Sequence, residues 1–559
     1  MVALFFQLPI QDDKLARHWH SQLWGLNQQH YLEFKEKLKA RAYPNIENQF
    51  ALNIQAAFSP EPKPSIVGGL YDHPLSINLS IENDEDTLIY FTLDGSIPTK
   101  HSLRYTSPIS INETTVLRFR SYKTGFLPGI TVTHTYLLNA DIRLPIVSLV
   151  TDPVNLWNKY SGIYKNSLMR GRAWEREAFA EYFDNQNSLS LRWPVGLRIN
   201  GGWSRALPKK SFRLTYPLSS LPETTIDNIL TTGSPVDQRT VVLRNTTDFR
   251  LRDVLFERLY SKAGGYTSSF IPVMVFLNGK MWGMYNIREK IDDDYLQRHA
   301  GKGQYLLIDL WIDQFDRFSH STDIFEPIRE FFATHDLSND DEFEKAAQLI
   351  DIDNFTDYWL FNIYAANVDW PHNNIYAFKN LEGEDTRWRW VAWDADDSFG
   401  AGNEAGYEHD TLALATRSEL RSDLFPSYAS DDEELLQSTL IIRGLLRNEA
   451  YKRKFISRFC ELQNSILAPE NVEAELDKII EVISHDLPLD LKRWSISEKR
   501  YHDEVRNIRD FVAKRPEYLY RYFQNKFQPE LIVGRERCFG PDEGGETFDL
   551  HRNLTPQPE

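Results

Sequence analysis

The sequence predicts an α+β fold with two lobes, preceded by a small β-sandwich and an N-terminal helical arm. Three observations predict it. Short alternating apolar runs broken by Asp94-Gly95 and Thr124-Gly125 fill the stretch from Leu70 to Leu138. Strand-like alternation dominates again from Leu144 to about Tyr295. Helical spacing takes over from Phe343, with a long helical tail from about Asp431 to Phe527.

The arm comes first, over residues 1–58. Leu15, Trp19, Leu23, Leu26, Tyr31 and Phe34 fall near helical spacing between Asp12 and Ala42. The apolar run from Val2 to Ile10 is short, broken by Gln7 and Pro9 and without a basic flank, so it reads neither as a signal peptide nor as a membrane span. Pro60, Pro62 and Pro64 then favour an extended linker and mark a domain boundary.

The sandwich is expected over 59–139, with Leu75, Ile77, Leu79 and Ile81 on one strand face. A second break, Asn139 to Pro145, opens the main body over 140–528, and a tail follows over 529–559. The acidic cluster from Asp431 to Glu434 sits where a helix N-terminus favours negative charge, so a helix start is expected there and not a metal site.

Composition narrows the function classes. With 42% hydrophobic and 13% aromatic residues, the 559-residue chain is globular and long enough for several cores. Its net charge of -17 repels phosphate backbones, so nucleic acid is not an expected partner. Two cysteines, Cys460 and Cys538, allow one bridge at most, too few for a disulfide framework or a four-thiolate zinc site.

Four segments can carry chemistry. Val195 to Arg205 is a strand running into a glycine turn, and Lys209 to Leu214 alternates again; amides freed by Gly201 and Gly202 can line phosphate oxygens, and a lysine on the return strand can reach them. Lys210 shares a face with Phe212 and Leu214, which makes it the better inward candidate than Lys209. The bland alternative is an ordinary hairpin with exposed lysines. Further on, Pro272 to Ile291 reads as a hairpin turned by Asn278-Gly279, ending in Glu289 before a helix start at Asp292. Glu289 either belongs to a hinge or pairs at the surface with Arg288 or Lys290.

The third segment places Asn374 five residues after Asp369. This is the spacing of a loop in which a carboxylate orients a hydroxyl and an amide oxygen ligates Mg²⁺, with Asn373 a close rival for the amide. The fourth, Arg387 to Gly400, reads as a strand delivering Asp394 and Asp396 on one face, with Asp397 turned away. A solvated Asp-rich turn is the alternative. The Asp-x4-Asn loop followed by an Asp-x-Asp strand end favours metal binding, because that order matches phosphotransfer sites.

Two family resemblances rest on these residues. Ile89 to Thr99, Tyr105, Thr115 to Arg120 and Thr135-Tyr136 resemble the chitobiase/β-hexosaminidase C-terminal module, a fibronectin-like sandwich; this implies a separable spacer ahead of a sugar-binding role. From Leu144 to Phe527, the motifs Leu144 to Leu149, Gly162-Ile-Tyr164, Gly201-Gly-Trp-Ser-Arg205, Pro208 to Phe212, Glu289, Asp369-Trp-Pro, Asn374 and Asp394-x-Asp396 resemble the CotH kinase family. That resemblance implies an atypical protein-kinase-like fold, related to spore-coat kinases, that uses ATP and Mg²⁺ to phosphorylate a protein hydroxyl. It implies Asp369 and Lys210 as catalytic residues, Gly201, Gly202, Ser204, Arg205, Lys210 and Glu289 on the nucleotide, and Asn374, Asp394 and Asp396 on the metal. A secreted or cell-surface location and coat or surface proteins as partners are also implied. The chain lacks His-Arg-Asp and Asp-Phe-Gly tripeptides and a Gly-x-Gly-x-x-Gly loop, so ordinary kinase roles transfer by position only. The rival from another class is a non-catalytic surface, adhesion or coat-assembly protein. A glycan-active enzyme would rest on the sandwich alone.

Overall fold

The computed structural model describes residues 58–82, 84, 86–184, 189–216, 240–245, 251–310, 321–401, 406–418 and 434–527. The expected arm, the 529–559 tail, Asp431 and Cys538 lie outside the described residues. The protein is mixed α/β with a β-rich N-terminal part and divides into two compact units. The first takes the chain to Thr246, with Phe270–Glu289 and Ile483–Ile496; the second takes Thr247–Ser269, Lys290–Val482 and the chain from Ser497.

The first unit includes a β-rich module where short strands were expected. A five-stranded sheet runs in the order Gly69–Tyr71, Val132–Leu138, Thr115–Tyr122, Leu88–Thr92 and Leu103–Arg104, beside two short strand pairs. The period-two pattern does what it predicts: Leu75, Ile77 and Leu79 turn inward onto Leu117, Phe119 and Tyr136.

The same unit contains a closed barrel of seven strands: β1 (Ile146–Val150), β2 (Arg176–Phe183), β3 (Leu189–Asn200), β4 (Ser211–Thr215), β5 (Thr240–Asn245), β6 (Phe270–Leu277) and β7 (Lys280–Glu289). They close in the order β1-β2-β3-β4-β5-β7-β6, with β1 parallel to β6. Leu149, Leu197, Ile199, Phe212, Leu214 and Tyr285 are among the side chains that fill it. Asn278 and Gly279 both adopt positive φ, 48° and 75°, the backbone that a two-residue hairpin turn between β6 and β7 requires.

A buried polar seam joins the module to the barrel. Thr135 Oγ1 lies 2.7 Å from Ser148 Oγ of β1. Arg192 of β3 donates to Glu181 Oε1 of β2 at 3.0 Å and also to the carbonyl oxygen of Thr133. Its guanidinium lies 2.9 Å from His134 Nδ1, which also accepts from the Gly68 amide. Glu181 is fully buried, and that burial raises its carboxyl to about 7. A separable spacer would not need such a seam, since breaking it strands a carboxylate and several backbone groups away from water.

The chain returns late to this barrel. Helix Leu487–Trp494 packs on β7, and its Asp490 accepts from Lys209 Nζ at 2.7 Å and from the Met284 amide at 2.8 Å. Gly283 sits at φ 120°, and a Cβ there would come within 2.3 Å of Asp490 Oδ1, so only glycine admits this approach.

The second unit is helix-rich around a small sheet in which a short strand, Tyr266–Thr267, precedes β8 (Tyr305–Asp309), β9 (Tyr376–Asn380) and β10 (Arg389–Ala392). Helix Ile352–Ala365 is buried along most of its length, capped by Asp351, whose side chain accepts from the Asn354 amide. It ends at Ala366 in the left-handed region, φ 50°. Arg515, on helix Glu498–Phe527, is 0% exposed and donates to the carbonyls of Ile363 and Tyr364 at 2.7 and 2.9 Å. A cation on these last-turn carbonyls satisfies the helix end and anchors the loop that follows.

Candidate phosphotransfer site

That loop is the Asp369 loop, and it is joined by backbone hydrogen bonds to the acidic turn after β10. The Val368 amide donates to Asp397 O at 3.1 Å and the Phe399 amide to Ala365 O at 2.7 Å. The Ala395 amide donates to Asp253 Oδ1 at 3.2 Å. Asn374 and Asp394 both sit at positive φ, 55° and 56°, a region that Asn and Asp tolerate better than most residues.

Inside this frame Asp369 is gripped by two amides. Asn373 Nδ2 donates to both carboxylate oxygens at 3.0 and 2.9 Å, and Asn374 Nδ2 donates to Oδ2 at 2.7 Å. Asn374 Nδ2 also lies 3.4 Å from Asp394 O. With its nitrogen turned to Asp369, each asparagine keeps its amide oxygen as an acceptor. The structure therefore brings Asp369, Asn374 and Asp394 together, and both Asn374 and its expected rival Asn373 turn their amide nitrogens to Asp369.

Electrostatics at Asp369 favour a proton. Burial, then the charges of Asp397 and Asp394, push its carboxyl up to about 6 from 3.8, against the lowering effect of the two asparagine hydrogen bonds. Asp397 is thus close enough to act on Asp369, although strand alternation turned it away. The reason is that β10 ends at Ala392, so alternation does not extend to residues 394–397.

Among the described residues, no group of three or more His, Cys, Asp or Glu side chains is arranged to hold a metal by itself. Mg²⁺ in phosphotransfer sites takes one or two carboxylates and fills its remaining positions with phosphate and water. The carboxylates near Asp369 and the asparagine amide oxygens are donors of that kind, so the residues fit the ion.

The other expected residues belong to the first unit. Gly201 adopts φ 107° and leads into a 3-10 turn over Trp203–Ala206. A Cβ on Gly201 would meet Ser204 Oγ at 2.2 Å. Arg205 Nε donates to Gly201 O at 2.5 Å, and its Nη1 donates to Ser167 O and Met169 O at 2.9 and 3.1 Å. Lys210 Nζ donates to the carbonyls of Arg205 and Leu207 at 2.8 and 2.9 Å, which fastens the turn. Lys209 is more buried still, 3% exposed and paired with Asp490, and burial lowers its ammonium to about 8. Both lysines are buried, so the exposed-hairpin alternative does not hold. Glu289 is 0% exposed, and Lys290 pairs with Asp292 at 2.9 Å, so the surface pairing considered for Glu289 does not hold either.

Residues 197–519 match the family model of the CotH kinase protein, more than half of the chain. The chain belongs to the CotH kinase family. Residues 66–133 match the chitobiase/beta-hexosaminidase C-terminal domain, so the CotH body is preceded by that module. No curated protein matches the chain. Solved structures that resemble it include the Shewanella oneidensis MR-1 toxin–antitoxin complex of HipA and HipB with operator DNA, 16% identical over 48% of this chain and 60% of that one, TM-score 0.25. Another is the Helicobacter pylori proinflammatory kinase CtkA, 11% identical over 46% of this chain and 90% of that one, TM-score 0.19. Superpositions this poor fix neither fold nor activity. Among the described residues, no helix is long and apolar enough to cross a membrane.

Proposed function

We propose that this CotH protein transfers the γ-phosphoryl group of ATP to a hydroxyl on a protein. The observation that carries the reading is Asp369, a carboxylate clamped by the amides of Asn373 and Asn374 and close enough to two further aspartates for their charges, with burial, to push it up to about 6. In its ionised form Asp369 orients the acceptor hydroxyl and takes its proton, while Asn373 and Asn374 fix the carboxylate plane. Asn374, Asp394 and either Asp396 or Asp397 would hold Mg²⁺, which when bound neutralises charge on the phosphates. The asparagine oxygens not turned to Asp369 are the amide donors to that ion. The nucleotide-binding roles expected for Gly201, Gly202, Ser204, Arg205, Lys210 and Glu289, the two-lobed kinase arrangement and the fibronectin-like character of the module belong to the same proposal. So do a secreted or surface location and a coat or surface protein as acceptor.

Incubation of the full chain with labelled ATP, Mg²⁺ and candidate acceptor proteins, followed by product analysis, tests the reading. Label on a Ser, Thr or Tyr hydroxyl supports it. Silence, with the same preparation folded, favours a binding protein instead.

A further inference from the structure

The connection from β1 to β2 carries apolar surface that the proposed reaction does not use. It runs over residues 153–174, and one side of it faces the barrel: Leu156 and Ile163 join the barrel core, with Tyr164 and Trp174 packed against it. The side chains on the rest of it are not the polar ones expected of a connection. Val154, Trp157, Tyr160, Leu168 and Met169 are all exposed, Tyr160 by 79% and Leu168 by 67%. Large apolar side chains scattered singly over a surface call for no explanation, but five within one short connection do.

Hydrogen bonds hold the connection as one piece. The Ile163 and Tyr164 amides donate to Asn155 O and Leu156 O at 2.8 and 3.0 Å, closing the chain back on the short helix Pro153–Trp157. Asn166 Nδ2 donates to Lys159 O at 3.2 Å and to Gly162 O at 2.9 Å, and the Met169 amide donates to Asn166 O at 3.0 Å. These bonds tie the turn that carries Leu168 and Met169 to the one that carries Lys159 and Tyr160. The Trp157 ring lies 4.9 Å from that of Tyr164, whose hydroxyl donates to Pro208 O at 2.8 Å. The same residues 153–174 include Lys159, Lys165, Arg170 and Arg172, all exposed, and no Asp or Glu. In a chain of net charge -17 this is a local reversal of sign.

Exposed aromatic and aliphatic side chains among basic residues, with no acidic one, have the chemistry of a membrane-surface anchor. Side chains exposed to this extent stand clear of their neighbours, so they are knobs to be buried, not the walls of a groove that would receive a partner's helix. A bilayer interface accepts such knobs without a matching shape, and its lipid phosphates suit the cations. Charges more than about 8 Å away are screened at physiological ionic strength, so the connection meets the lipid ahead of the chain's net charge of -17. We propose that residues 153–174 seat the protein on an anionic phospholipid surface. Tyr160, Leu168 and Met169 enter the headgroup boundary, and Lys159, Lys165, Arg170 and Arg172 meet lipid phosphates. The inference concerns attachment and stands whether or not phosphotransfer is found.

The test sediments the full chain with vesicles of phosphatidylcholine alone and of phosphatidylcholine mixed with phosphatidylglycerol. The variants are Leu168→Ser with Met169→Ser, and Lys159→Gln with Lys165→Gln, each checked for folding by near-UV circular dichroism. Wild type should bind the mixed vesicles and bind phosphatidylcholine alone about tenfold more weakly or less. The apolar pair of substitutions should weaken binding about tenfold at every salt concentration, the size of two partly buried aliphatic side chains. The charge pair should weaken it about tenfold at low salt and little at high salt. No sedimentation of wild type with the mixed vesicles, or equal binding by the folded variants, overturns the proposal. If the chain instead takes up polyglutamate and leaves the vesicles, the surface belongs to a protein partner and the lipid assignment falls.

Discussion

Replacing Asp369 by Asn should raise stability while removing phosphotransfer. The folded protein pushes this carboxyl from 3.8 up to about 6, chiefly by burial and then by Asp397 and Asp394. A raised carboxyl favours the protonated form in the fold, so the stability it contributes is present below its unfolded value and is lost as pH rises through about 6. At around pH 8 the rise from 3.8 to about 6 corresponds to ~3 kcal/mol of unfavourable ionisation. A neutral amide removes that cost. It also sets a donor against Asn373 or Asn374, which costs about 1 kcal/mol. The net expectation for Asp369→Asn is a gain of about 1–2 kcal/mol near pH 8, shrinking as pH falls. Urea unfolding followed by tryptophan fluorescence measures it, and phosphoryl transfer by the same preparation should fall by about 10²–10⁴-fold. A lower urea midpoint for the variant near pH 8 would refute the electrostatic argument, and retained transfer would refute the role.

The other predictions concern neighbouring features. For wild type, kcat/KM for transfer should rise with pH through about 6 as Asp369 ionises; a profile flat from pH 5 to 8 removes it as the base. A chain beginning near Asn139 should aggregate or melt well below full length, because it leaves Glu181 and Ser148 without Thr135; thermal scanning and light scattering decide this. Because folding raises Glu181 from 4.5 to about 7, the wild type loses stability as pH rises across that range, so Glu181→Gln in the full chain should become more stable relative to wild type toward pH 7, and a pH-independent difference in melting would contradict that sign. Asp490→Ala leaves Lys209 buried without its carboxylate and should cost about 3–5 kcal/mol, whereas Asp490→Asn, which keeps an acceptor for the Met284 amide and for Lys209, should cost clearly less; urea titrations separate the two.

Much of the fold was legible wherever side-chain period alone decides it. Leu75, Ile77 and Leu79 faced inward as their alternation required, and Asn278-Gly279 made the expected hairpin turn. Closure of the barrel was not legible, since the parallel β1–β6 pair joins residues far apart in the chain. The return of helix Leu487–Trp494 was hidden for the same reason: Asp490 meets Lys209 across more than half the chain. At the candidate site, the Asp369–Asn374 spacing singled out two residues that lie together, but it assigned the amide to a metal and gave no sign that its nitrogen donates to Asp369. Asp397 was missed because alternation was carried past the end of β10, where left-handed Asp394 redirects the chain. Arg515 gave no local signal, because its partners are the backbone carbonyls of a distant helix end.

Transfer of label from [γ-³²P]ATP to an acceptor protein, measured with Mg²⁺ for wild type and Asp369→Asn side by side, tests the central claim most directly. The account predicts acid-stable or hydroxyl-linked phosphate on the acceptor with wild type, and a loss of about 10²–10⁴-fold with a variant that is folded and at least as stable. Equal labelling by the two proteins, or none by either with a panel of surface and coat proteins, would contradict it.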